Sequence, residues 1–184
     1  MQSEYMEDWL FSAGLEMGDS LSSALGVNKS LVMNLRDVIY TSRAVVPLLA
    51  KAGKRGISIG SNGCNHPAQV PKLHRWTDHD SGESLVVMYH AFGYGGYGKS
   101  LCDGPGRCGD CAEAPNGVAL CTEFRIDNSG PPASAEDVLK SIEAVRAEYP
   151  DAIVESSTFD DFVVDIQNVS HLLPEVEGEV GDTW

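Results

Sequence analysis

A chain of 184 residues, 42% hydrophobic and 22% charged, is long enough to bury a core of its own and has the composition of a soluble globular protein. A formal net charge of −14 argues against a nucleic-acid partner, which needs a basic footprint to displace phosphate counterions. No stretch approaches the roughly 20 apolar residues that span a bilayer, and residues 1–7 have neither the basic nor the apolar region of a signal peptide.

Residues 6–15 read as a short helix and 18–29 as loop, so the first thirty residues are poorly defined. Residues 38–51 then read as a helix with an apolar stripe of Ile39, Val45, Val46, Leu48 and Leu49, kinked at Pro47 and stopped by Gly53. Residues 57–60 form a short buried strand, and 62–79, rich in Pro, Asn and His, a loop. The continuous apolar run 85–90 is the best strand in the chain and suits a sheet covered on both faces. A Gly-Tyr-Gly-Gly-Tyr-Gly segment follows, then a Cys-rich loop insertion over 99–117. Residues 118–126 read as a strand and 127–132 as a turn. Ser134 caps a helix through 148, with Val138, Leu139, Ile142 and Val145 as its buried stripe. Residues 152–155 read as a strand, Thr158 caps a last helix, and a further strand begins near Glu179. Strands alternating with helices predict parallel pairing in one α/β domain without a linker, with ligand-binding residues in the loops after the strand C-termini.

Several side chains could carry chemistry from such positions. Asp37 precedes a predicted helix, where its ordinary role is an N-cap. Asp127 ends a predicted strand before Gly130-Pro131-Pro132, as a turn-former or a catalytic carboxylate. His90 ends the strongest strand; it could bind sugar or metal, or be a hydrogen-bonded structural residue. Tyr94 and Tyr97 could stack on a sugar ring or simply pack. His79-Asp80 reads as surface. Four of the five cysteines, Cys102, Cys108, Cys111 and Cys121, cluster, and Cys64 is the odd one out. Their spacing fits no standard zinc finger and favours two disulfides over a structural metal, conditional on a secretory compartment; free thiols remain open.

Two segments resemble glycoside hydrolase family 38, the α-mannosidases. Leu35-Arg36-Asp37-Val38-Ile39-Tyr40-Thr41-Ser42 is similar to the family's Q-x-D-P-F-G-H-S segment, and Phe124-Arg125-Ile126-Asp127-Asn128-Ser129-Gly130-Pro131 to its G-D-G-G-G-G-P-T segment. Residues 173–179 resemble its L-P-x-x-x-G-E motif. The closest resemblance is to a relative of that clan labelled domain of unknown function 5054, through Arg36-Asp37-Val38, Arg43, residues 57–63, His90, residues 94–96, 127–132 and 179–184, in that order. It covers roughly residues 33–184.

The resemblance implies a partial (β/α)7-type barrel of the glycoside hydrolase/deacetylase kind, with zinc at the strand C-termini. It implies that Asp37 is nucleophile and zinc ligand and Asp127 the acid/base of a retaining mechanism, the two carboxyls roughly 5–6 Å apart. His90 and Tyr94 would contact a carbohydrate or glycoconjugate. The family's H-x-D motif with its first zinc ligands has no counterpart before Asp37, and its last zinc histidine would lie beyond Trp184. The expectation is therefore an internal piece of a larger domain, not holding zinc tightly and inactive as it stands. The alternative is a non-catalytic carbohydrate-binding or structural barrel; a third reading makes the cysteines a small interaction module.

Overall fold

A computed structural model describes residues 6–37, 39, 41–61, 67–90, 111–122, 131 and 133–180. In chain order these form α1 (Asp8–Ala24), β1 (Val32–Asp37), α2 (Val45–Lys51), β2 (Gly56–Ser61), β3 (Leu73–Asp78), β4 (Glu83–His90), β5 (Cys111–Glu113), β6 (Ala119–Cys121), α3 (Ala135–Glu148), α4 (Phe159–Asp165), a 3-10 helix (Gln167–Leu172) and β7 (Glu175–Val176).

The protein is α/β, built on an open five-stranded sheet in the order β1-β2-β4-β3-β7, and no closed barrel forms among the described residues. Strands β1, β2 and β4 are parallel, as the alternation of strands and helices predicts. The sheet is nevertheless mixed. Strand β3 runs antiparallel to β4, and β7 pairs parallel to β3. The reason is local: β3 and β4 are joined by a tight turn in which Asp78 accepts hydrogen bonds from the Ser81 amide (3.0 Å) and hydroxyl (2.6 Å). A turn that short permits only a hairpin.

Both faces of the sheet are covered, which explains the unbroken apolar run of β4. On one face Leu35, Ile57, Ile59, Trp76, Leu85, Val87 and Tyr89 pack with Phe11 of α1 and Val45, Val46 and Leu49 of α2. On the other, Val32, Leu73, Val86 and Met88 pack with Phe162, Val163 and Ile166 of α4 and with Ala112 and Ala114 around the β5–β6 hairpin. Gly56 lies where α4 comes closest, since a Cβ there would stand 3.0 Å from both a Val163 methyl and the Val86 carbonyl.

Several expectations are corrected. The helix expected over 38–51 starts only at Val45, because the chain before it is the strand β1 and its exit. Pro47 is therefore the third residue of α2, where no intrahelical N–H bond is needed, and it causes no break. Gly53 does end the helix, at φ +76°. The expected loop 62–79 contains β3, and the expected loop 18–29 is helical as far as Ala24. Residues 153–158 form no strand, and Ile153 is 94% exposed. A short strand lies at Glu175–Val176; of the one expected from Glu179, only Glu179 and Val180 are described, and neither is in a strand. Helix α3 starts at its Ser134 cap, but of its predicted stripe only Val145 is buried, with Val138 and Leu139 exposed. Periodicity gives a helix an apolar face; it does not supply a neighbour to cover it.

Candidate functional site

The parallel strands end together. Arg36, Gly60 and His90 lie level across β1, β2 and β4, and Asp37 pairs with Ser61 one position further on. At about 4.8 Å per strand, Asp37 and His90 stand on backbones roughly 10 Å apart. The C-terminal edge of an open α/β sheet is where such folds bind ligands.

Asp37 is the last residue of β1, so it is not the N-cap of α2, whose N-cap is Ala44. Its φ is +72°, and no other non-glycine residue among those described has a positive φ. Aspartate tolerates that left-handed conformation better than most residues, yet it remains costly. The chain leaves the extended conformation at the position where a carboxylate would face the strand ends, and the pleat no longer dictates the direction of the side chain. Leaving β1 this way frees residues 41–44 to approach α2, with Thr41 buried and the Arg43 amide donating to Glu179 at 2.7 Å. That contact joins two of the segments that carry the family resemblance. Arg43 also pairs with Asp78 at 3.3 Å, fixing this approach to the β3–β4 turn.

Strand alternation puts Arg36 and His90 on the α4 face, with Gly60 between them contributing no side chain. His90 is 2% exposed. The Arg36 guanidinium donates to the Leu35 and Ser58 carbonyls at 2.9 and 3.0 Å and to the Ser58 hydroxyl at 2.9 Å, and lies over the Phe159 ring at 5.5 Å. Burial pushes its pKa down to about 10, which leaves it a cation at neutral pH. Ser61 is fully buried at the end of β2. Both Ser61 and Arg36 lie in segments that carry the family resemblance, but neither the burial of Ser61 nor the bonding of Arg36 is legible from local sequence pattern.

A shallow open cavity of about 400 Å³ lies beside the same edge, lined by Lys72, Leu73, Cys111, Glu113, Pro115 and Pro174. It is adjacent because β3 begins where β4 ends: the Tyr89 amide donates to the Lys72 carbonyl at 2.7 Å. One wall is the β5–β6 hairpin, where Cys111 and Cys121 are opposite residues joined by a disulfide.

Of the other candidate residues, Asp127, Tyr94, Tyr97, Cys64, Cys102 and Cys108 lie outside the described residues, as does the predicted Asp37–Asp127 spacing. His79 is half exposed in the β3–β4 turn and pairs with Glu177 at 3.0 Å, which raises its pKa. Among the described residues no group of three His, Cys, Asp or Glu side chains converges as metal ligands do, so these residues by themselves do not fit a zinc centre. No helix among them is long and apolar enough to cross a membrane.

No protein-family model matches the chain, and no curated protein matches it significantly.

Proposed function

We propose that the C-terminal edge of β1, β2 and β4 is a carbohydrate site of the glycoside hydrolase family 38 type, acting on an α-linked sugar such as a mannoside in a secretory compartment. In this reading the sheet is part of a (β/α)7-type barrel. Asp37 is the nucleophile and Asp127 the acid/base, while His90 and Tyr94 contact the sugar. The observation that carries the reading is the left-handed Asp37 at the end of a parallel strand, level with Ser61 and two strands from the buried His90. Strained, non-glycine backbone is concentrated at functional sites, and strand ends of this kind hold the catalytic carboxylates of β/α enzymes. The family's zinc enters no step here, because the described residues do not assemble its ligands.

A non-catalytic carbohydrate-binding domain is the second reading: the same strand-end loops would hold a sugar without the Asp37 carboxylate reacting. Calorimetric titration with aryl α-mannosides, together with an assay for release of the aryl group, separates the two. The proposal expects saturable binding that His90→Ala weakens at least about tenfold. Turnover that Asp37→Ala abolishes supports the hydrolase over the second reading; binding without turnover supports the sugar site that both readings share. Absence of any binding overturns both.

A further inference from the structure

Helix α1 is apolar over more of its circumference than the fold covers. At 3.6 residues per turn, Phe11 and Leu15 share the arc that packs on the core. The adjoining arc carries Leu10, Ala13, Met17, Leu21 and Ala24, all exposed: Leu10 is 43%, Met17 73% and Leu21 60% exposed. Trp9 and Leu25, at 70% and 68%, stand at its two ends. The charged residues Asp8, Glu16 and Asp19 occupy the remaining arc, where Asp19 is neutralised by Lys29 and Lys54 of its own chain.

Reversed about Met17, this arc puts an alanine where it had a leucine and a leucine where it had an alanine. If two copies of α1 cross antiparallel about a two-fold axis at Met17, Leu10 of each meets Ala24 of the other and Ala13 meets Leu21. Trp9 meets Leu25 at the ends of the seam. Between those ends the leucines then face alanines, which lets the helices approach closely, and the pairing is reciprocal, as a two-fold interface requires. The seam itself contains no charged side chain, and Asp8, Glu16 and Asp19 lie outside it. On ordinary side-chain areas, Trp9, Leu10, Met17, Leu21, Leu25 and Val27 expose roughly 700 Å² together, near the ~800 Å² per partner of a standard interface. Monomers rarely leave that much contiguous apolar surface in water.

We infer that α1 is a homodimerisation helix and that its occupant is the α1 of a second copy, antiparallel. The test is the mass of the chain in solution by sedimentation over a wide concentration range. The expected result is twice the mass of one chain, falling to a single chain in Met17→Glu with an unchanged circular dichroism spectrum, since Met17 makes no core contact. A wild-type chain that stays monomeric throughout overturns the inference, and so does a dimer that survives Met17→Glu. Orientation is read from oxidative cross-linking scored against the unsubstituted chain. Leu10→Cys mixed with Ala24→Cys should give a cross-linked dimer that Leu10→Cys alone does not; the reverse pattern overturns the antiparallel seam.

Discussion

Asp37 couples a backbone requirement to a chemical one. At φ +72° a β-branched residue is strongly disfavoured and glycine is at ease. Asp37→Gly should therefore be more stable than Asp37→Val by about 1–3 kcal/mol, measured by urea denaturation. Equal midpoints would mean that the left-handed turn stores no strain. The Asp37 carboxylate is lost in both variants, so their difference isolates the backbone. His74 gives a second prediction at this scale. It is fully buried, with Nδ1–H donating to the Pro71 carbonyl at 2.7 Å, and burial holds its pKa below the ordinary value. The unfolded chain then takes up the proton first. Stability is fully present above about pH 6.5 and falls below it by up to about 1.4 kcal/mol per pH unit, until the folded-state pKa is reached. His74→Gln keeps a donor for Pro71 and removes the titration, so its loss of stability between pH 6.5 and 5 should be smaller than that of the wild type; identical slopes would contradict the assignment. His79, held up by Glu177, titrates with the opposite sign, its contribution being lost as pH rises through its raised pKa. Asp37 and His90 could both be singled out from the sequence by the residues around them. The positive φ of Asp37 could not, because it depends on how β1 leaves the sheet.

At the scale of elements, β4 and the capped starts of α3 and α4 were readable because their signals are local: an apolar run, and Ser134 and Thr158 accepting from amides three residues on. Strand β1 was hidden because Asn34 and Arg36 interrupt its apolar pattern. Arg36 is tolerated on a covered face because Ser58 and Phe159 receive its guanidinium, a long-range arrangement that no local pattern reveals. The start of β1 is fixed by another distant residue. Asp160, in the first turn of α4, accepts from the Leu31 and Val32 amides at 2.9 and 3.0 Å. Asp160→Ala should lower stability by about 1–3 kcal/mol, because it strands the partly buried Leu31 amide and leaves the Val32 amide only the Ser30 hydroxyl at 3.3 Å. In hydrogen exchange, the amides of residues 31 and 32 should lose protection before those of β4. Unchanged protection there would mean that the strand is held by its pairing with β2 alone.

At the scale of the molecule, three parallel strands deliver Asp37, Ser61 and His90 to one edge, with a helical layer on either face holding the sheet rigid behind them. The α/β class was legible from the alternation of elements. The β3–β4 hairpin was not, because an apolar run that follows Pro- and His-rich chain says nothing about which way its neighbour runs. In the proposed function this edge is where a sugar binds. The most direct measurement of that binding is residue-resolved NMR of the chain titrated with methyl α-mannoside, following the Asp37 and Ser61 amides and the His90 ring. Saturable shifts at these three residues, with α1 and His79 unmoved, are the expected result. No shift at the edge, or shifts confined to another surface, would contradict it.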